Sequence, residues 1–424
     1  MQKRTTVRDL RRTNRSMVLT RLFLDGPLSR LDLGRLSGLS GGTVSNVTAE
    51  LISEGLVVEA GLVESDGGRP RVLLRVDPRF GYVVGVDVGE TRVKLELFDL
   101  SMRRLSTVDR PVDSPRPDPG AVADHIVAGL RDVVSEAGVP LERVLGVGVG
   151  VFGTVEERPS GASGRSDAEP VVERPEPGGS EVLVHAPTVG WDAVPLTRLI
   201  GAGTRLPLFI DNGAKTLGQA EMWFGAGRGA RHAVIALIGS GVGAAVVTHG
   251  ANYRGASSSA GEWGHTTIVY GGRRCRCGAL GCLEAYVGAE GVLDRYRRAR
   301  GGRAAPGQDE ESQIAALIAA AGRSKVAAHI LDETAGYLGA GIANLVNLFN
   351  PERIVLGGWA GLALGSRLLP QIRAAAAAQA LAHPYRQTSI ELSQLGPDAV
   401  AVGAATLPVA ALLARGAPAR MNAA

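Results

Sequence analysis

The pattern of apolar and polar positions divides the chain into two parts with different textures. Up to residue 80, apolar residues recur at helical spacing in three short blocks that are separated by turn residues. From Gly81 onward, short apolar runs rich in glycine, alanine and valine alternate with helical patterns. The pattern therefore predicts an α/β protein of two domains, a mostly helical one at 1–80 and an α/β body at 81–424.

The first part has the order of elements of a helix-turn-helix unit. We expect a flexible basic start up to Arg12, and then a helix from Asn14 to the stop signal at Gly26. Two short helices across a tight turn follow, with Ser40 placed to cap the second of them. Residues 57–77 predict two strands joined by a Gly-rich tip. Together these elements predict a winged helix, which enters the major groove of DNA with its second helix.

Charge and exposed polar side chains favour DNA as the partner of this unit. The chain has 46 Lys and Arg residues and 42 Asp and Glu residues, a net charge of +4. Residues 1–80 contain 13 of the basic and 9 of the acidic residues, so the rest of the chain has 33 of each. The whole excess of positive charge therefore lies in the first fifth of the chain. Hydroxyl and amide side chains can reach base edges in the major groove, and wing arginines can enter a minor groove. The candidate DNA-binding residues are Ser40, Thr43, Ser45, Asn46, Thr48, Arg69 and Arg71. The alternative is a three-helix protein-interaction module with a solvated polar face.

Three Gly-rich turns and two unusual segments mark the body. The turns follow predicted strands, at 87–91, 239–243 and 357–358. Residues 156–180 are polar and of low complexity, which predicts a mobile surface insertion and no site. Residues 314–348 are Ala-rich with a helical period and predict one long helix. The turns alone are weak signs of a nucleotide site, since tight strand packing explains them as well.

All three cysteines lie in one Gly-rich loop at 261–286. They are Cys275, Cys277 and Cys282, and His265 precedes the first of them by ten residues. Three thiols and one imidazole complete a tetrahedral zinc site, and four protein ligands leave no open position for water. We therefore expect a structural zinc ion, with three buried free thiols as the alternative.

Composition sets limits on the class of protein. The chain is 45% hydrophobic and 21% charged, as is typical of a globular protein with a sizeable core. It has no run of eighteen apolar residues, so we expect no membrane span. The basic N-terminus lacks the apolar core of a signal peptide, and metal-type cysteine spacing favours a reducing compartment, so we expect a cytoplasmic protein.

The motifs together resemble the ROK family (repressors, open reading frames and sugar kinases). The three Gly-rich turns occur in the order of the actin-like ATPase fold, and the loop sequence GEWGH followed by CRCGALGCLEAY is similar to the family signature. The resemblance covers the body, and residues 15–77 resemble the winged helix of the repressor branch. It implies a two-lobed actin-like ATPase (ROK sugar-kinase) fold behind an N-terminal winged helix-turn-helix.

The resemblance also implies the residues of a sugar site and of a zinc site. In the family, the histidine and three cysteines of the loop hold zinc. The positions that contact the sugar correspond here to Asn212, Glu262, His265 and Glu284. His265 would serve both sites, because one ring nitrogen can ligate zinc while the other hydrogen-bonds a hydroxyl.

The position of the catalytic base departs from the kinases that the chain resembles. Those kinases carry the base, an aspartate, in the motif ENDANAAALGE. Aligned without a gap on Glu221, this chain keeps Asn212 and has Gly213 at the base position. An alternative register puts Asp211 at the base position, but it needs a two-residue insertion and replaces the sugar-binding asparagine by Ile210.

A second departure concerns phosphate. Glu90 stands where the kinases have a glycine that lets the backbone approach phosphate, and a carboxylate there repels a triphosphate. We therefore expect no catalysis and no ATP binding. The expected function is a sugar-responsive transcriptional repressor, a homodimer or dimer of dimers, that binds operator DNA and a sugar or sugar derivative. Two alternatives remain: an active ATP-dependent sugar kinase (glucokinase-like) with a DNA-binding arm, and a regulator with an empty cleft that responds to a protein partner.

Overall fold

The N-terminal unit consists of three helices and a small antiparallel sheet. The structure is a computed structural model that describes residues 6–65, 68–112, 114, 116–159 and 180–416. The elements of the unit are α1 (Val7–Asp25), β1 (Leu28–Ser29), α2 (Arg30–Ser37), α3 (Gly41–Ser53), β2 (Val57–Ser65) and β3 (Gly68–Val76). The strands lie in the order β1-β3-β2, with β2 and β3 as an antiparallel hairpin. This order of elements agrees with the predicted winged helix.

The first helix begins earlier than the sequence pattern predicted. The side chain of Thr6 accepts a hydrogen bond from the backbone N–H of Asp9 at 3.2 Å, and the Asp9 carboxylate accepts one from the N–H of Thr6 at 3.0 Å. This capping box satisfies two of the free N–H groups at the helix start, so α1 begins at Val7. The predicted flexible start up to Arg12 was therefore wrong from Val7 onward, because the cap and not the apolar period sets the boundary.

The apolar core of the N-terminal unit continues into the body. Leu19, Leu33 and Leu51, one from each helix, are fully buried in it. Residues of the body that join the same core are Val83, Phe98, Leu100, Ala405, Val409, Leu412 and Leu413. The unit therefore packs firmly on one side of the body, since burial of apolar surface is the main stabilising term.

The first lobe of the body is built on a five-stranded mixed sheet. Its elements are β4 (Tyr82–Val88), β5 (Arg92–Asp99), β6 (Arg104–Pro111), α4 (Pro119–Ala137), β7 (Val144–Val151), β8 (Thr154–Pro159), β9 (Ser180–Ala186), β10 (Trp191–Val194), α5 (Leu196–Gly201) and β11 (Leu208–Asn212). The sheet order is β11-β7-β4-β5-β6, in which β11, β7 and β4 are parallel and β5 and β6 antiparallel.

A smaller sheet of order β10-β9-β8 joins this lobe. Its strands β8 and β9 pair from Thr154 opposite His185 to Pro159 opposite Ser180. The insertion predicted over 156–180 was therefore wrong at both ends, where the backbone forms a ladder. The rest of that segment, 160–179, lies outside the described residues.

The second lobe is built on another five-stranded sheet, of order β14-β13-β12-β15-β16. Its elements, with the two helices that lie between the lobes, are α6 (Gly213–Phe224), β12 (Ala233–Ile238), β13 (Val242–Thr248), β14 (Ala251–Asn252), α7 (Glu284–Val287), α8 (Ala289–Ala299), α9 (Glu310–Ala320), α10 (Lys325–Phe349), β15 (Arg353–Gly357), α11 (Trp359–Gln379), α12 (Ala382–Tyr385), β16 (Ser389–Leu392) and α13 (Ala399–Arg415). The two similar sheets agree with the two-lobed fold implied by the sequence.

The single long helix predicted over 314–348 is two helices. Between α9 and α10 the chain bends by 111°. Ser324 caps α10 by accepting a hydrogen bond from the N–H of Ala327 at 3.3 Å. The helical period continues through the break, so it concealed the cap. Among the described residues, no single helix is long and apolar enough to cross a membrane, and α9 with α10 reaches that length only as a bent pair.

Helices α6 and α13 pack against each other between the two sheets. Helix α6 lies on β12 and β13 of the second lobe, and α13 lies on β4 and β7 of the first. A Cβ on Gly403 of α13 would lie 1.9 Å from the Thr216 carbonyl oxygen of α6, and one on Gly148 of β7 would lie 1.7 Å from the Ala404 carbonyl oxygen. Only glycine permits these approaches. The lobes are therefore joined through a closely packed helix pair.

Candidate functional site

The four predicted zinc ligands come together. One ligand atom from each of His265, Cys275, Cys277 and Cys282 lies within 4.8 Å of all the others. The Cys277 and Cys282 sulfurs are 3.8 Å apart, and Nδ1 of His265 is 3.7 Å from the Cys275 sulfur. With Zn–S bonds of about 2.3 Å, the sulfurs of a tetrahedral site lie about 3.8 Å apart. The donor set and its spacing fit a tetrahedral metal ion.

A short turn brings the cysteines together. Cys275 donates its backbone N–H to the Ala279 carbonyl at 2.9 Å, and Gly278 donates to the Cys275 carbonyl at 3.0 Å. Gly278 and Gly281 have φ of 95° and 82°, in the left-handed region that glycine adopts without strain. The Gly-rich sequence therefore permits the tight reversal that turns all three sulfurs toward one point.

Burial acts against ionised thiols at this cluster. Removal from water raises the pKa of the Cys275 thiol and of the Cys282 thiol. Thiolates are the form that binds zinc, so the charge of a bound cation would have to offset the cost of their burial. Metal binding here would release thiol protons, and the affinity for zinc should fall as the pH falls.

Glu284 connects the cysteine loop to the cleft between the lobes. It is 6% exposed at the start of α7, and its Oε2 accepts the backbone N–H of Val242 at 3.0 Å. Its Oε1 lies 3.6 Å from the Cys275 sulfur. Glu284 therefore holds the Gly-rich turn at 239–243 against the loop, a structural role that the sequence did not suggest.

Glu262 and the buried Lys215 are near enough for the charge of each to affect the pKa of the other. Burial raises the pKa of the Glu262 carboxyl. The charges of His265 and Lys215 oppose this effect only in part, so the pKa remains above its ordinary value. Lys215 is 2% exposed and its Nζ donates to the Ser258 carbonyl, while burial lowers the pKa of the lysine. Sequence reasoning missed Lys215, although it occupies the position of the second asparagine in the ENDAN motif.

Asn212 is held rigidly at the end of β11. Its Oδ1 accepts the N–H groups of Ala214 at 2.9 Å and Lys215 at 3.3 Å, which caps α6. Its Nδ2 donates to the Gly153 carbonyl at 2.7 Å, which uses one of the two amide hydrogens. A ligand hydroxyl could accept the other.

The two candidate positions for a catalytic base differ in their surroundings. Asp211 is 3% exposed, and the guanidinium of Arg254 donates to both of its oxygens, at 3.2 and 2.5 Å. Gly213 is the first residue of α6, and a Cβ there would meet only ordinary contacts, the nearest being Val400 Cγ1 at 3.6 Å. Packing therefore does not require glycine at 213, and Asp211 is engaged in a buried ion pair.

Glu90 does not stand alone beside the predicted phosphate position. Both of its oxygens accept hydrogen bonds from Arg276, at 2.5 and 3.1 Å. Arg276 lies between Cys275 and Cys277 in the chain, and Glu284 and Glu290 are 3.7 and 3.2 Å from its guanidinium. A Cβ on Gly241 would lie 3.4 Å from Arg276 Nη2 and 3.8 Å from Glu90 Oε1. The ion pair therefore lies beside the turn at 239–243 and joins the two lobes.

Asp87, on the strand that leads to Glu90, is an unusual acid. Burial raises its pKa to about 7, and the charges of Arg92 and Lys94 only partly oppose this effect. It is therefore partly protonated at neutral pH, in contrast to an exposed aspartate.

Most of the predicted DNA-contacting side chains lie at the exposed start of α3. Ser40 caps the helix by accepting the N–H of Thr43 at 3.2 Å, and the two hydroxyl groups are 2.9 Å apart. Ser45 and Asn46 are exposed one turn further on. These four residues form a short polar surface at the beginning of the helix.

Thr48 was wrongly predicted to face outward. It is fully buried, its hydroxyl donates to the Ser45 carbonyl at 3.1 Å, and the hydroxyl oxygen accepts from Nε of Arg30 at 3.1 Å. It lies one turn from Val44 and Leu51 on the buried face of the helix. A hydroxyl suggested an outward position, but its hydrogen bonds are satisfied inside the unit.

The wing arginines are only partly described. The side chain of Arg69 lies outside the described residues. Arg71 is partly exposed on β3, and its Nη1 lies 4.0 Å from a carboxylate oxygen of Asp32 on α2. An exposed pair at this distance is weak, so Arg71 can exchange that partner for a phosphate.

Comparison with known proteins defines the class. The model of the ROK family matches residues 83–410, which is most of the body. The chain therefore belongs to the ROK family.

Individual relatives include both regulators and kinases. The chain is 29% identical to the xylose repressor of Caldicellulosiruptor bescii, over 95% of this chain and 97% of that protein. It is 31% identical to the glucokinase of Halalkalibacterium halodurans, over 76% of this chain and 93% of that enzyme. A solved structure described as a ROK family transcriptional regulator and homologue of the E. coli Mlc protein is 25% identical, with a TM-score of 0.75 over 96% of this chain and 97% of that one.

Proposed function

We propose that the protein is a sugar-responsive transcriptional repressor. Residues 1–80 would bind operator DNA, and the body at 81–424 would bind a sugar or sugar derivative. The observation that carries the proposal is the extent of similarity, since 95% of the chain matches a xylose repressor whereas 76% matches a glucokinase. A winged-helix order of elements and an exposed polar start of α3 support the DNA-binding part.

The sugar site would use Asn212, Glu262, His265 and Glu284. Asn212 has one amide hydrogen to donate, and the Glu262 carboxyl has a raised pKa that suits it for hydrogen bonding to hydroxyls. Glu284 would act mainly through the loop that it holds, because its Oε2 accepts a backbone N–H. Lys215 joins this set in our proposal, as its positive charge lowers the pKa of the Glu262 carboxyl.

The four-residue cluster of His265, Cys275, Cys277 and Cys282 would hold a structural zinc ion. The cysteine sulfurs and the histidine Nδ1 have the spacing of a tetrahedral site, and a Cys₃His set leaves no position for a reacting water. Zinc would thus fix the loop that carries Glu262 and Arg276.

The DNA surface would comprise the start of α3 and the wing. Its residues in the proposal are Ser40, Thr43, Ser45, Asn46, Arg69 and Arg71. A single helix-turn-helix reads one half-site, so we propose a homodimer, or a dimer of dimers, on a pseudo-palindromic operator.

We further propose that the cleft does not catalyse phosphoryl transfer. A base must lie within hydrogen-bond reach of the sugar hydroxyl, and Gly213 offers no side chain. The alternative is a sugar kinase that uses Asp211, for which the glucokinase similarity is the favouring observation. The bidentate pair with Arg254 weighs against it, since both oxygens of Asp211 already accept hydrogen bonds from that guanidinium.

Two variants test the halves of the proposal separately. Asn46→Ala should weaken binding of the purified protein to DNA from its own promoter region by about 10-fold or more, whereas Ser366→Ala, an exposed hydroxyl on α11, should not. Glu262→Gln should abolish the thermal shift given by an active monosaccharide and leave DNA binding intact. A wild-type protein that binds no promoter DNA, or that phosphorylates a sugar with ATP and loses turnover in Asp211→Ala, would contradict the proposal.

A further inference from the structure

Helix α1 of the N-terminal unit touches both lobes of the body at separate points. The first point is the C-terminal end of α6. The ring of Phe23 on α1 lies 5.8 Å from that of Trp223 and 6.1 Å from that of Phe224, both in edge-on geometry. The opposite end of α6 is the helix start that Asn212 caps at the cleft. Helix α6 therefore extends from the proposed sugar site at its start to α1 at its end.

The loop after α6 adds a polar contact from the second lobe. Arg228 donates to the Asp25 carboxylate at 2.8 Å and to the Leu24 carbonyl at 2.8 Å. The same loop is fixed to the second lobe by Arg353 of β15, which donates to the Ala226 carbonyl at 2.6 Å and the Arg228 carbonyl at 3.1 Å. The C-terminal end of α1 is therefore attached to the second lobe.

The middle of α1 is attached to the first lobe. Arg15 is 6% exposed and its Nε donates to the carbonyl of Gly416, the residue that ends α13. The other two nitrogens of the same guanidinium donate to Glu50 at 2.9 Å and to Glu54 at 2.5 Å, at the far end of α3. Arg15 thus joins α13 directly to the helix that carries the proposed DNA-reading residues.

The two attachment points belong to bodies that meet at the α6–α13 contact. Gln219 of α6 donates to the Thr406 hydroxyl of α13 at 2.8 Å. The two helices are in close backbone contact at Gly403, so they cannot be pressed closer together. A rotation of one lobe against the other must slide one helix along the other, which would displace Phe23 and Asp25 relative to Arg15.

We propose that α1 is the lever through which the cleft controls the DNA-binding surface, and that Arg15 is the residue that positions α3. This inference rests on the proposed function and names its coupling route. A sugar that shifts the lobes changes the separation of the two attachment points on α1, and α3 moves with the guanidinium of Arg15. The loss of either attachment should uncouple the two sites and leave each site able to bind.

Uncoupling variants test the lever. The probes are promoter DNA, with and without D-xylose, D-glucose or N-acetyl-D-glucosamine. A coupling of ordinary size would change the DNA dissociation constant by about 5- to 150-fold. In the double variant Phe23→Ala/Arg228→Ala, we expect sugar to change the DNA dissociation constant by less than about 2-fold. The affinity for sugar without DNA and the affinity for DNA without sugar should each stay within a few-fold of wild type. Arg228→Glu, a surface change that repels Asp25, serves if the double variant folds poorly, and Arg367→Ala, an exposed arginine on α11, is the matched control. A variant that keeps the full sugar response overturns the lever.

A second measurement needs no sugar. Coupling between two binding sites is reciprocal, so promoter DNA should alter hydrogen exchange of residues 213–229 in the wild-type protein and not in Arg228→Glu. If DNA binds and leaves exchange at 213–229 unchanged, the lever is wrong while the repressor proposal stands. If no promoter DNA binds at all, the proposed function fails first, and the lever with it.

Discussion

Replacing Cys277 by serine tests whether the cysteine loop is built around a metal ion. Cys277 is partly exposed, so the change from sulfur to oxygen leaves no buried cavity. It removes one of four ligand atoms that lie within 4.8 Å of one another. Any large effect must therefore come from the lost metal bond and not from lost packing.

The expected effect follows from the number of ligands. Structural zinc contributes on the order of 10–16 kcal/mol of apparent binding free energy in small peptides at neutral pH. An equal share for each of four ligands is about 2.5–4 kcal/mol, part of which a water ligand restores. Since about 1 kcal/mol shifts the Tm of a mid-sized domain by roughly 2–4 °C, we expect Cys277→Ser to lower the Tm by about 5–10 °C.

The assay combines metal analysis with thermal unfolding. Wild-type protein purified without added metal should contain one zinc per chain, and a chelator should lower its Tm to near that of Cys277→Ser. Leu280→Ala, an exposed change in the same loop, should keep the zinc and most of the Tm. Wild-type protein without metal, or a Cys277→Ser Tm equal to that of wild type with no response to chelator, would refute the zinc site.

Three other predictions concern separate features of the molecule. Asn46→Ala should lower the affinity for DNA, measured by fluorescence anisotropy, without changing the Tm. Thr48→Ala should lower the Tm, measured by calorimetry, by several degrees, because Thr48 is buried and hydrogen-bonded. Glu90→Gly should produce a thermal shift with millimolar Mg-ADP that wild type and Glu290→Ala lack, because it frees an arginine for phosphate. Burial raises the pKa of Asp87 to about 7, so the folded protein keeps a proton that the unfolded chain loses above 3.8. The free energy of unfolding should therefore fall as pH rises toward 7. In urea titrations between pH 5 and 8, this decrease should be about 1–3 kcal/mol smaller in Asp87→Asn than in wild type.

Local patterns in the sequence were enough for most of the fold. The apolar runs around 82–98 and 233–248 gave two strand–turn–strand units, and the structure has β4–β5 and β12–β13 there. The cysteine spacing likewise predicted a cluster of four ligands, because a Gly-rich loop can close on a single point over so short a distance.

Features that depend on caps or on distant contacts were missed. The helix start at Val7 and the break before Lys325 are set by single capping side chains within an otherwise continuous pattern. Thr48 has a polar side chain, yet a hydrogen bond from Arg30, eighteen residues earlier, makes its burial favourable. No local pattern could have shown that Glu90 pairs with Arg276, since the two are 186 positions apart and meet only when the lobes come together.

The central claim is that a sugar in the cleft and operator DNA on the winged helix influence each other. The most direct measurement is a titration of labelled promoter DNA with wild-type protein, repeated at saturating D-xylose, D-glucose and N-acetyl-D-glucosamine. The account predicts that at least one sugar changes the DNA dissociation constant by about 5-fold or more, and that the DNA changes the affinity for that sugar by the same factor. Tight DNA binding that no such sugar alters, together with ATP-dependent phosphorylation of one of them, would contradict it.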